Sequence, residues 1–582
     1  MSKLLSYVGL AALNELNTTF PQYESRLWDV TSGKIIGDVQ YTPRDFWNSS
    51  TLPGNHSDWF AERMGEIVGL TTDFCDLMSL SPPDGKFLEE IRKGLKTIAN
   101  GAGTRSDTMS SPVVVRMMFG DYKPSTPINV TKIINQLTDG ILSDKTNVDL
   151  WVGAWRSKLS WNHAKLIAVD GQFLHTGGHN MYTSDYLMEA PVHDLSLELH
   201  GEVAYGGHYY ANEQWEYLQE SDGAVYADSI IEFIPDTWKV YIPSTLPMLP
   251  LHPLENAFVV EFPPGVEKKY PPTYNNTKSK VDIGEVVPII SMGKLRTPSD
   301  DEPSEESFVA MFDSAISSIK LSIQDVGPRK VCREEPVPTP GFAWPQNHLS
   351  AFGRALGRGV DVEIVLSNLG AFDLGGYSNG WTCNDVAAQI IKTIPLKYPE
   401  IYNNKKMLMD TVTNHLRLGY LRGIDGNTYP NGNEIALHTK HFIIDDIAAY
   451  IGSENIYSFD LAEWGVVIDD EVETKKMMKQ IWDPMYEYSY TGDDCDLGYV
   501  VENMLDIPEP TVKDNFESIL KCNGISPEDV AAEGTILLEL VSNAFSNSGD
   551  VPSLTPPPST MLRMSPSIKP PVNDTNTIST VK

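Results

Sequence analysis

Two short stretches of the chain share a pattern of residues that could hold and attack a phosphate ester. In each stretch a His is followed two residues later by a Lys, and five residues after that by an Asp. An Asn closes both stretches at the same distance from the His. Each copy therefore offers an imidazole, an ammonium and an amide, a set suited to binding a phosphate. The two copies consist of His163, Lys165, Asp170 and Asn180, and of His438, Lys440, Asp445 and Asn455.

The residues around both motifs predict two short strands joined by a turn. LIAV after Lys165 and FII after Lys440 are apolar and rich in β-branched residues, which favours strands buried on both faces. Residues i and i+2 of a strand point to the same face, so the His and Lys of each copy are predicted to project together. We interpret Asp170 and Asp445 as residues that fix the following turn rather than as proton carriers.

A single copy of this motif would be weak evidence for a catalytic site, because a lone His on a strand is more often an ordinary core or surface residue. Two complete copies with the same offset and the same strand–turn–strand context are hard to obtain by chance. The copies are not identical, since Gly178 stands where the second copy has Ser453. This difference fits different roles for the two His residues.

The duplicated motif resembles that of the phospholipase D superfamily, and the likeness is closer to the secreted Streptomyces-type phospholipases D. It runs from about residue 10 to about residue 490. The resembling segments are RLWDVTSG, SWNHAKLIAVDG, TGGHN, HDLSLEL, LSIQDVGP, GGYS, YIGSENIY and DLAEWGVVIDD.

The resemblance implies a phospholipase D that hydrolyses phosphatidylcholine-like glycerophospholipids to phosphatidic acid and a free head-group alcohol, with transphosphatidylation to other alcohols as a side reaction. His163 would attack phosphorus and form a phosphohistidine, and His438 would be the general acid and later the base. Asp194 and Glu463 stand where the family has the acids that orient the two His residues, although an Asp is usual at the second position. No metal or other cofactor is implied. The implied phosphate-binding residues are Lys165, Asn180, Lys440, Ser453 and Asn455.

The flanking sequence predicts the elements that must position the motifs. Helical and strand-like patterns alternate before the first motif, and the same order recurs before the second. The alternation implies crossover connections and a mixed or parallel sheet flanked by helices. We therefore predict an α/β fold of two similar lobes that arose by internal duplication, with the site at their seam. The predicted helices are 58–70, 87–100, 131–141, 308–318, 349–359 and 385–394, and the predicted strands are 73–80, 113–119, 147–155, 319–325, 360–367 and 415–421.

The composition predicts more than one structural unit, because 582 residues exceed one ordinary core. The first lobe is predicted over 1–225, a Pro-rich connector over 226–300 and the second lobe over 301–490, closed by a helix over 471–488. A C-terminal extension covers 491–582, with helical pieces in 512–545 and disorder from about 546.

The charge of the chain limits its partners. With 45 Lys and Arg against 78 Asp and Glu, the net charge of −33 repels polyphosphates and argues against a nucleic-acid partner. A locally positive pocket around Lys165 and Lys440 remains compatible with it. We expect a monomer whose partner is a phospholipid at a membrane or micelle surface, bound peripherally, since no run approaches the ~20 apolar residues of a membrane span.

The N-terminus and the cysteines leave alternatives open. MSKLLSYVGLAAL resembles a short signal peptide, but its apolar residues fall at helical spacing, and we favour a helix. The family resemblance favours a secreted protein, whereas the weak signal leaves a cytoplasmic one as the alternative. The five cysteines show no C-x-x-C spacing, and a Cys332–Cys383 bridge is one open pairing.

Three other functions are compatible with parts of the sequence. A nuclease of the same superfamily is opposed by the net charge, and tyrosyl-DNA phosphodiesterases lack the motif Asp that is present here twice. A cardiolipin synthase is disfavoured because no membrane anchor is evident. An inactive lipid-binding protein is opposed by the completeness of both motifs. Tyr377 in GGYS, with aromatic residues near the first motif, could line an entrance for lipid.

Overall fold

The computed structural model describes residues 4–49, 52–104, 111–120, 128, 130–142, 146–157, 160–220, 230–232, 271–275, 283–295, 301–330, 343–372, 376–457 and 461–507. Most of the predicted connector lies outside these residues, as do Cys332, the predicted helical pieces in 512–545 and the predicted disorder from about 546.

The described part of the chain alternates strands and helices. The strands are β1 (Trp28–Ile35), β2 (Gln40–Thr42), β3 (Phe74–Ser79), β4 (Val113–Gly120), β5 (Val148–Ser157), β6 (Ser160–Trp161), β7 (Leu166–Val169), β8 (Phe173–Gly177), β9 (Asp194–Gly201), β10 (Ile230–Glu232), β11 (Val287–Lys294), β12 (Ser318–Ile323), β13 (Asp361–Leu366), β14 (Leu416–Tyr420), β15 (Lys440–Ile444), β16 (Ala448–Gly452) and β17 (Glu463–Asp469). The helices are α1 (Tyr7–Thr19), α2 (Asp58–Gly69), α3 (Gly85–Gly101), α4 (Val130–Thr138), α5 (Thr183–Tyr186), α6 (Val203–Glu220), α7 (Pro303–Ser314), α8 (Gln346–Gly357), α9 (Cys383–Thr393), α10 (Pro399–Tyr402), α11 (Lys405–His415), α12 (Glu471–Met477), α13 (Asp483–Ser489) and α14 (Leu497–Asn503).

The two halves of the chain build the same strand order. In the first half β5, β4 and β3 are parallel neighbours, and β7, β8 and β9 follow as antiparallel ones. In the second half β14, β13 and β12 are parallel, and β15, β16 and β17 follow antiparallel. Parallel neighbours require crossover helices, which α3 and α4 supply in the first half and α8 and α9 in the second. The predicted mixed α/β architecture with an internal duplication is confirmed.

Two further strands join the halves into one sheet. β1 pairs with β9 on one side and with β11 on the other, and β11 pairs with β17. All eight residues of β11 are buried, although they lie in the range 226–300 that was predicted to be a surface connector. For this strand the prediction was wrong, because Pro288 argues against a central strand. The division of the chain into domains otherwise stays a prediction.

The helices cover the sheet with apolar faces. In α3 the residues Phe87, Ile91, Leu95 and Ile98 follow helical spacing, and all four are buried. This helix packs closely on α2, since a Cβ on Gly94 would lie 2.4 Å from the carbonyl oxygen of Gly65. One core cluster lies mainly in the first half, a second lies mainly in the second half, and a third combines strands of both halves.

The N-terminal segment is a helix, as its spacing predicted. Val8, Ala12 and Leu16 of α1 are fully buried in the core of the second half. Ser6 caps the helix, because its side chain accepts hydrogen bonds from the backbone of Val8 and Gly9. Among the described residues, no helix has the length and apolar character needed to cross a membrane.

Candidate active site

The two motif His residues lie just before a strand rather than within one. His163 precedes the start of β7 by three residues, and His438 precedes β15 by two. The prediction that the first His and Lys lie on a strand was therefore wrong, although Lys440 does begin β15. Instead, hydrogen bonds to the other half of the chain hold the backbone of each His. N–H of His163 donates to the carbonyl of Ala462 at 2.8 Å, and N–H of His438 donates to the carbonyl of His193 at 2.8 Å.

Each His contacts a carboxylate supplied by the other half of the chain. Nδ1 of His163 lies 2.7 Å from Oε1 of Glu463, the first residue of β17. Nδ1 of His438 lies 2.7 Å from Oδ2 of Asp194, the first residue of β9. All four side chains are almost completely excluded from solvent. The exchange of acids brings both motifs to one seam between the halves.

Asp194 is held as an anion. Its Oδ2 also accepts a hydrogen bond from the hydroxyl of Tyr186 at 2.8 Å, and its Oδ1 accepts one from the backbone of Leu195 at 2.8 Å. Burial alone would raise its pKa, but the charge of His438 and the hydrogen bond with that residue lower the pKa to about 2. An anionic acceptor places the proton of His438 on Nδ1, which leaves Nε2 as the nitrogen that can react.

The predicted phosphate-binding side chains are buried around these pairs. Nζ of Lys440 donates to Oε1 of Gln324 at 3.0 Å and to the carbonyl of His438 at 2.7 Å. Lys165 is only 4% exposed. The amide of Asn455 donates to the hydroxyl of Tyr457 at 2.8 Å. Gln324 lies in the resembling segment LSIQDVGP, but no local pattern connects it with Lys440.

Asn180 and Ser453 make mainly backbone contacts. The backbone N–H of Asn180 donates to the hydroxyl of Tyr186 at 3.1 Å. The hydroxyl of Ser453 accepts from the backbone of Trp464 at 3.1 Å, at the start of β17. Among the described residues, no group forms a hydrogen bond with the buried Oδ1 atoms of Asn180 and Asn455.

Gly178 differs from Ser453 for a steric reason. A Cβ at position 178 would lie 2.1 Å from Oδ1 of Asp194 and 2.9 Å from the carbonyl oxygen of His438. Because Asp194 is fixed by hydrogen bonds on both oxygens, it has no room to move away. Gly178 therefore allows the first half to approach His438 closely.

The motif Asp residues lie away from the His residues and hold the backbone that precedes a strand. Asp170 accepts hydrogen bonds from the backbone N–H groups of Thr72, Asp73 and Phe74, at 3.0, 2.9 and 2.8 Å. Asp445 does the same for residues 316–318, at 2.8, 2.7 and 2.7 Å. Both Asp residues have a positive φ, at 53° and 52°. The geometry matches the turn-fixing interpretation, although their role in catalysis stays a prediction.

An aromatic side chain borders the second pair. The ring of Tyr377 meets that of His438 edge to face at 5.3 Å between centroids, and its hydroxyl donates to the carboxylate of Asp185. Burial raises the pKa of Asp185 to about 6. Three of the aromatic residues near the first motif, which were predicted to line the same entrance, are buried in the core: Trp151, Trp155 and Trp161.

The described residues contain no group of three or more His, Cys, Asp and Glu side chains that could hold a metal ion. Three types of group are present at the seam: two imidazoles that each have a carboxylate close to Nδ1, two lysines and two buried amides. Together they can supply a nucleophile, a proton donor and charge stabilisation for a phosphodiester.

No family model matches the chain. A curated relative, the phospholipase D of Streptomyces antibioticus, is 25% identical over 505 residues, which cover 81% of this chain and 86% of the relative. In this alignment, in both complete motifs and in the duplicated strand order, the chain is similar to the phospholipase D superfamily. These likenesses support a phosphodiester-acting enzyme.

Solved structures of the superfamily are more distant. A phosphatidylserine synthase of Haemophilus influenzae Rd KW20 is 11% identical, with a TM-score of 0.47, and the match covers 89% of this chain and 98% of that one. The phospholipase D family member Nuc of Salmonella typhimurium is 17% identical with a TM-score of 0.18, covering 31% of this chain and 85% of that one. These scores are too low to relate whole folds.

Proposed function

We propose that this enzyme is a phospholipase D that releases the head-group alcohol from phosphatidylcholine-like glycerophospholipids and produces phosphatidic acid. The observation that carries the proposal is the exchange of acids at the seam, where Nδ1 of each motif His lies 2.7 Å from a carboxylate oxygen of the other half of the chain. The name of the Streptomyces relative supports a lipid substrate. The net charge of −33 opposes a polyanionic nucleic acid.

The proposed reaction uses each His once in each step. Nε2 of His163 attacks phosphorus, and the bond to the head-group oxygen breaks as His438, in its imidazolium form, gives that oxygen the proton on Nε2. His438 then removes a proton from water, whose oxygen attacks the phosphohistidine and releases phosphatidic acid together with a neutral His163. Another alcohol in place of water gives transphosphatidylation. His163 is assigned as the nucleophile by resemblance.

The remaining site residues support these steps. Lys165, Lys440 and the amides of Asn180 and Asn455 would stabilise the charge on the phosphoryl oxygens, with Ser453 as a further donor. Glu463 and Asp194 would stabilise the imidazolium that forms at each His. Asp170 and Asp445 would act only by fixing the strands.

The proposal is tested by measuring choline release from phosphatidylcholine vesicles, with and without ethanol. We expect choline from the parent enzyme, phosphatidylethanol when ethanol is present, and neither product from His163→Ala. A matched control is His415→Ala, because Nδ1 of His415 also lies 2.8 Å from an Asp oxygen, but at the protein surface and outside the motifs. This control should keep its activity.

Two outcomes would contradict the proposal. Cleavage of single-stranded DNA by a parent enzyme that releases no choline would make it a nuclease of the same superfamily. Choline release that survives in His163→Ala would remove the assignment of the nucleophile.

A further inference from the structure

A buried charge cluster lies behind the carboxylate that contacts His163. Lys294, the last residue of β11, is the register partner of Glu463 on β17. Its Nζ lies 3.1 Å from Oε1 of Glu454 and also donates to Glu305 at the start of α7. Lys294, Glu454 and Glu463 are each only 2% exposed. Three carboxylates thus surround one ammonium.

Other elements close the cluster from the remaining sides. The hydroxyl of Tyr210 on α6 donates to the carbonyl of Lys294 at 3.0 Å. Four further groups interact with these charges electrostatically or by hydrogen bonds: Glu302, Ser304, His348 and Tyr450. None of the four is a lysine or an arginine. Burial lowers the pKa of His348 to about 4, so this imidazole is neutral at neutral pH.

The cluster has too much negative charge for its burial. If Glu305, Glu454 and Glu463 were all ionised, Lys294 would neutralise only one of them, and buried uncompensated charge is costly. Burial, together with the charges of Glu463 and Glu305, raises the pKa of Glu454 to about 8, although Lys294 opposes the shift. A proton on Glu454 therefore removes one of the buried negative charges beside the carboxylate that contacts His163.

Around His438 the described part of the chain shows a different set of groups. The residue of the first motif that corresponds to Glu454 is His179. Its ring nitrogens lie 2.9 Å from the hydroxyl of Thr42 and 2.8 Å from that of Ser196, and burial keeps it neutral by lowering its pKa to about 3. The charge environment therefore distinguishes the two His–acid pairs.

We propose that Lys294 is a positioning residue for His163, acting through Glu463, and that Glu454 holds the proton whose loss switches this pair off at alkaline pH. Without the ammonium, the buried carboxylate cluster would keep a proton to higher pH, and less negative charge would face His163. If Glu454 were ionised, its negative charge would draw the proton of the His163–Glu463 pair toward the buried carboxylates. The inference rests on the phosphodiester chemistry proposed for His163.

The first test compares Lys294→Met with Lys294→Arg on a monomeric short-chain phosphatidylcholine. We expect Lys294→Met to lower kcat by about 10- to 100-fold with little change in KM, as loss of an orienting partner does, and to move the acid limb of the pH profile to higher pH. Lys294→Arg should restore most of kcat because it keeps the charge. The control Lys320→Met removes another ion-paired lysine, which lies 2.7 Å from Asp446, and should leave the pH profile unchanged.

The second test uses Glu454→Gln, which cannot lose the proton. We expect the alkaline limb of kcat to move to higher pH in this variant. A folded Lys294→Met protein with the parent pH profile would overturn the proposal, and so would an unshifted alkaline limb in Glu454→Gln.

Unfolding measurements test the cluster without a substrate. Because the folded pKa of Glu454 is raised, the folded state binds the proton more tightly, and its contribution to stability falls as pH rises from about 4.5 to about 8. Glu454→Gln should flatten this slope in urea unfolding, and an identical slope in parent and variant would overturn the assignment of the proton. A parent enzyme with no lipid activity would contradict the proposed function and leave this measurement valid.

Discussion

At the scale of single residues, the site depends on two carboxylates whose position is fixed by the opposite half of the chain. Asp194 accepts hydrogen bonds on both oxygens, so its orientation toward His438 is determined from several directions. Glu463 is one methylene longer than Asp194, and its position facing His163 depends on the register of β11 with β17. A side chain at position 178 would collide with the carboxylate of Asp194.

Replacing Asp194 by Asn should lower kcat strongly while the fold persists. The amide cannot stabilise an imidazolium and favours the wrong tautomer of His438, so we expect a loss of about 10²- to 10⁴-fold, the range of a general acid–base contribution. The measurement is kcat on short-chain phosphatidylcholine. Tyr186→Phe removes only one of the donors to the same carboxylate, and its loss should be smaller. A kcat of Asp194→Asn within twofold of the parent would contradict this role.

The lowered pKa of Asp194 also predicts a pH dependence of stability. Because the folded pKa of about 2 lies below the unfolded value, its stabilising contribution is complete above about pH 4 and is lost as pH falls toward 2. Acid unfolding of Asp194→Asn should show a shallower decline over this interval than that of the parent. Parallel curves would show that Asp194 is not the group that titrates.

At the scale of elements, each motif Asp connects the strand carrying its own motif to the neighbouring strand. Asp170 follows β7 and binds the backbone entering β3, while Asp445 follows β15 and binds the backbone entering β12. Burial tends to raise the pKa of Asp445, but the hydrogen bonds from Tyr7 and from the backbone lower it overall. The motif Asp thus keeps the His–Lys segment in place at the other end of the strand.

Asp170→Ala should therefore affect stability more than chemistry. It leaves three backbone N–H groups without their acceptor, and we expect the free energy of unfolding to fall by about 2–4 kcal/mol. Asp170→Asn keeps one acceptor oxygen and tolerates the positive φ, so its loss should be about half as large. Urea unfolding measures both. Unchanged stability with abolished kcat would instead assign Asp170 to the reaction itself.

The elements show what local pattern can and cannot predict. Helices such as α3 and strands such as β4 carry their own apolar periodicity, so they were predicted within about three residues. β11 was missed because Pro288 interrupts its pattern and its burial comes from β1 and β17, which are remote in sequence. Lys294, the last residue of β11, was not predicted as a site residue for the same reason. The strand predicted at the first motif wrongly included His163. The hydrogen bond from His163 to the carbonyl of Ala462 is a long-range contact, which no local sequence pattern predicts.

At the scale of the whole molecule, one continuous sheet makes the two halves parts of a single catalytic unit. β1 and β11 lie between β9 and β17, the strands that begin with Asp194 and Glu463. The order of elements predicted the duplication from sequence, but the exchange of acids follows from how the halves pack. Each half supplies a His that depends on the other half, so neither half should be active alone.

The most direct test of this account measures kcat of His163→Ala, His438→Ala and the double variant on short-chain phosphatidylcholine. Two groups that act on one phosphorus are not additive. We therefore predict that each single variant loses at least about 10³-fold and that the double variant is no worse. A single variant that keeps about half of the parent turnover would mean that each half carries its own site, and would contradict the account.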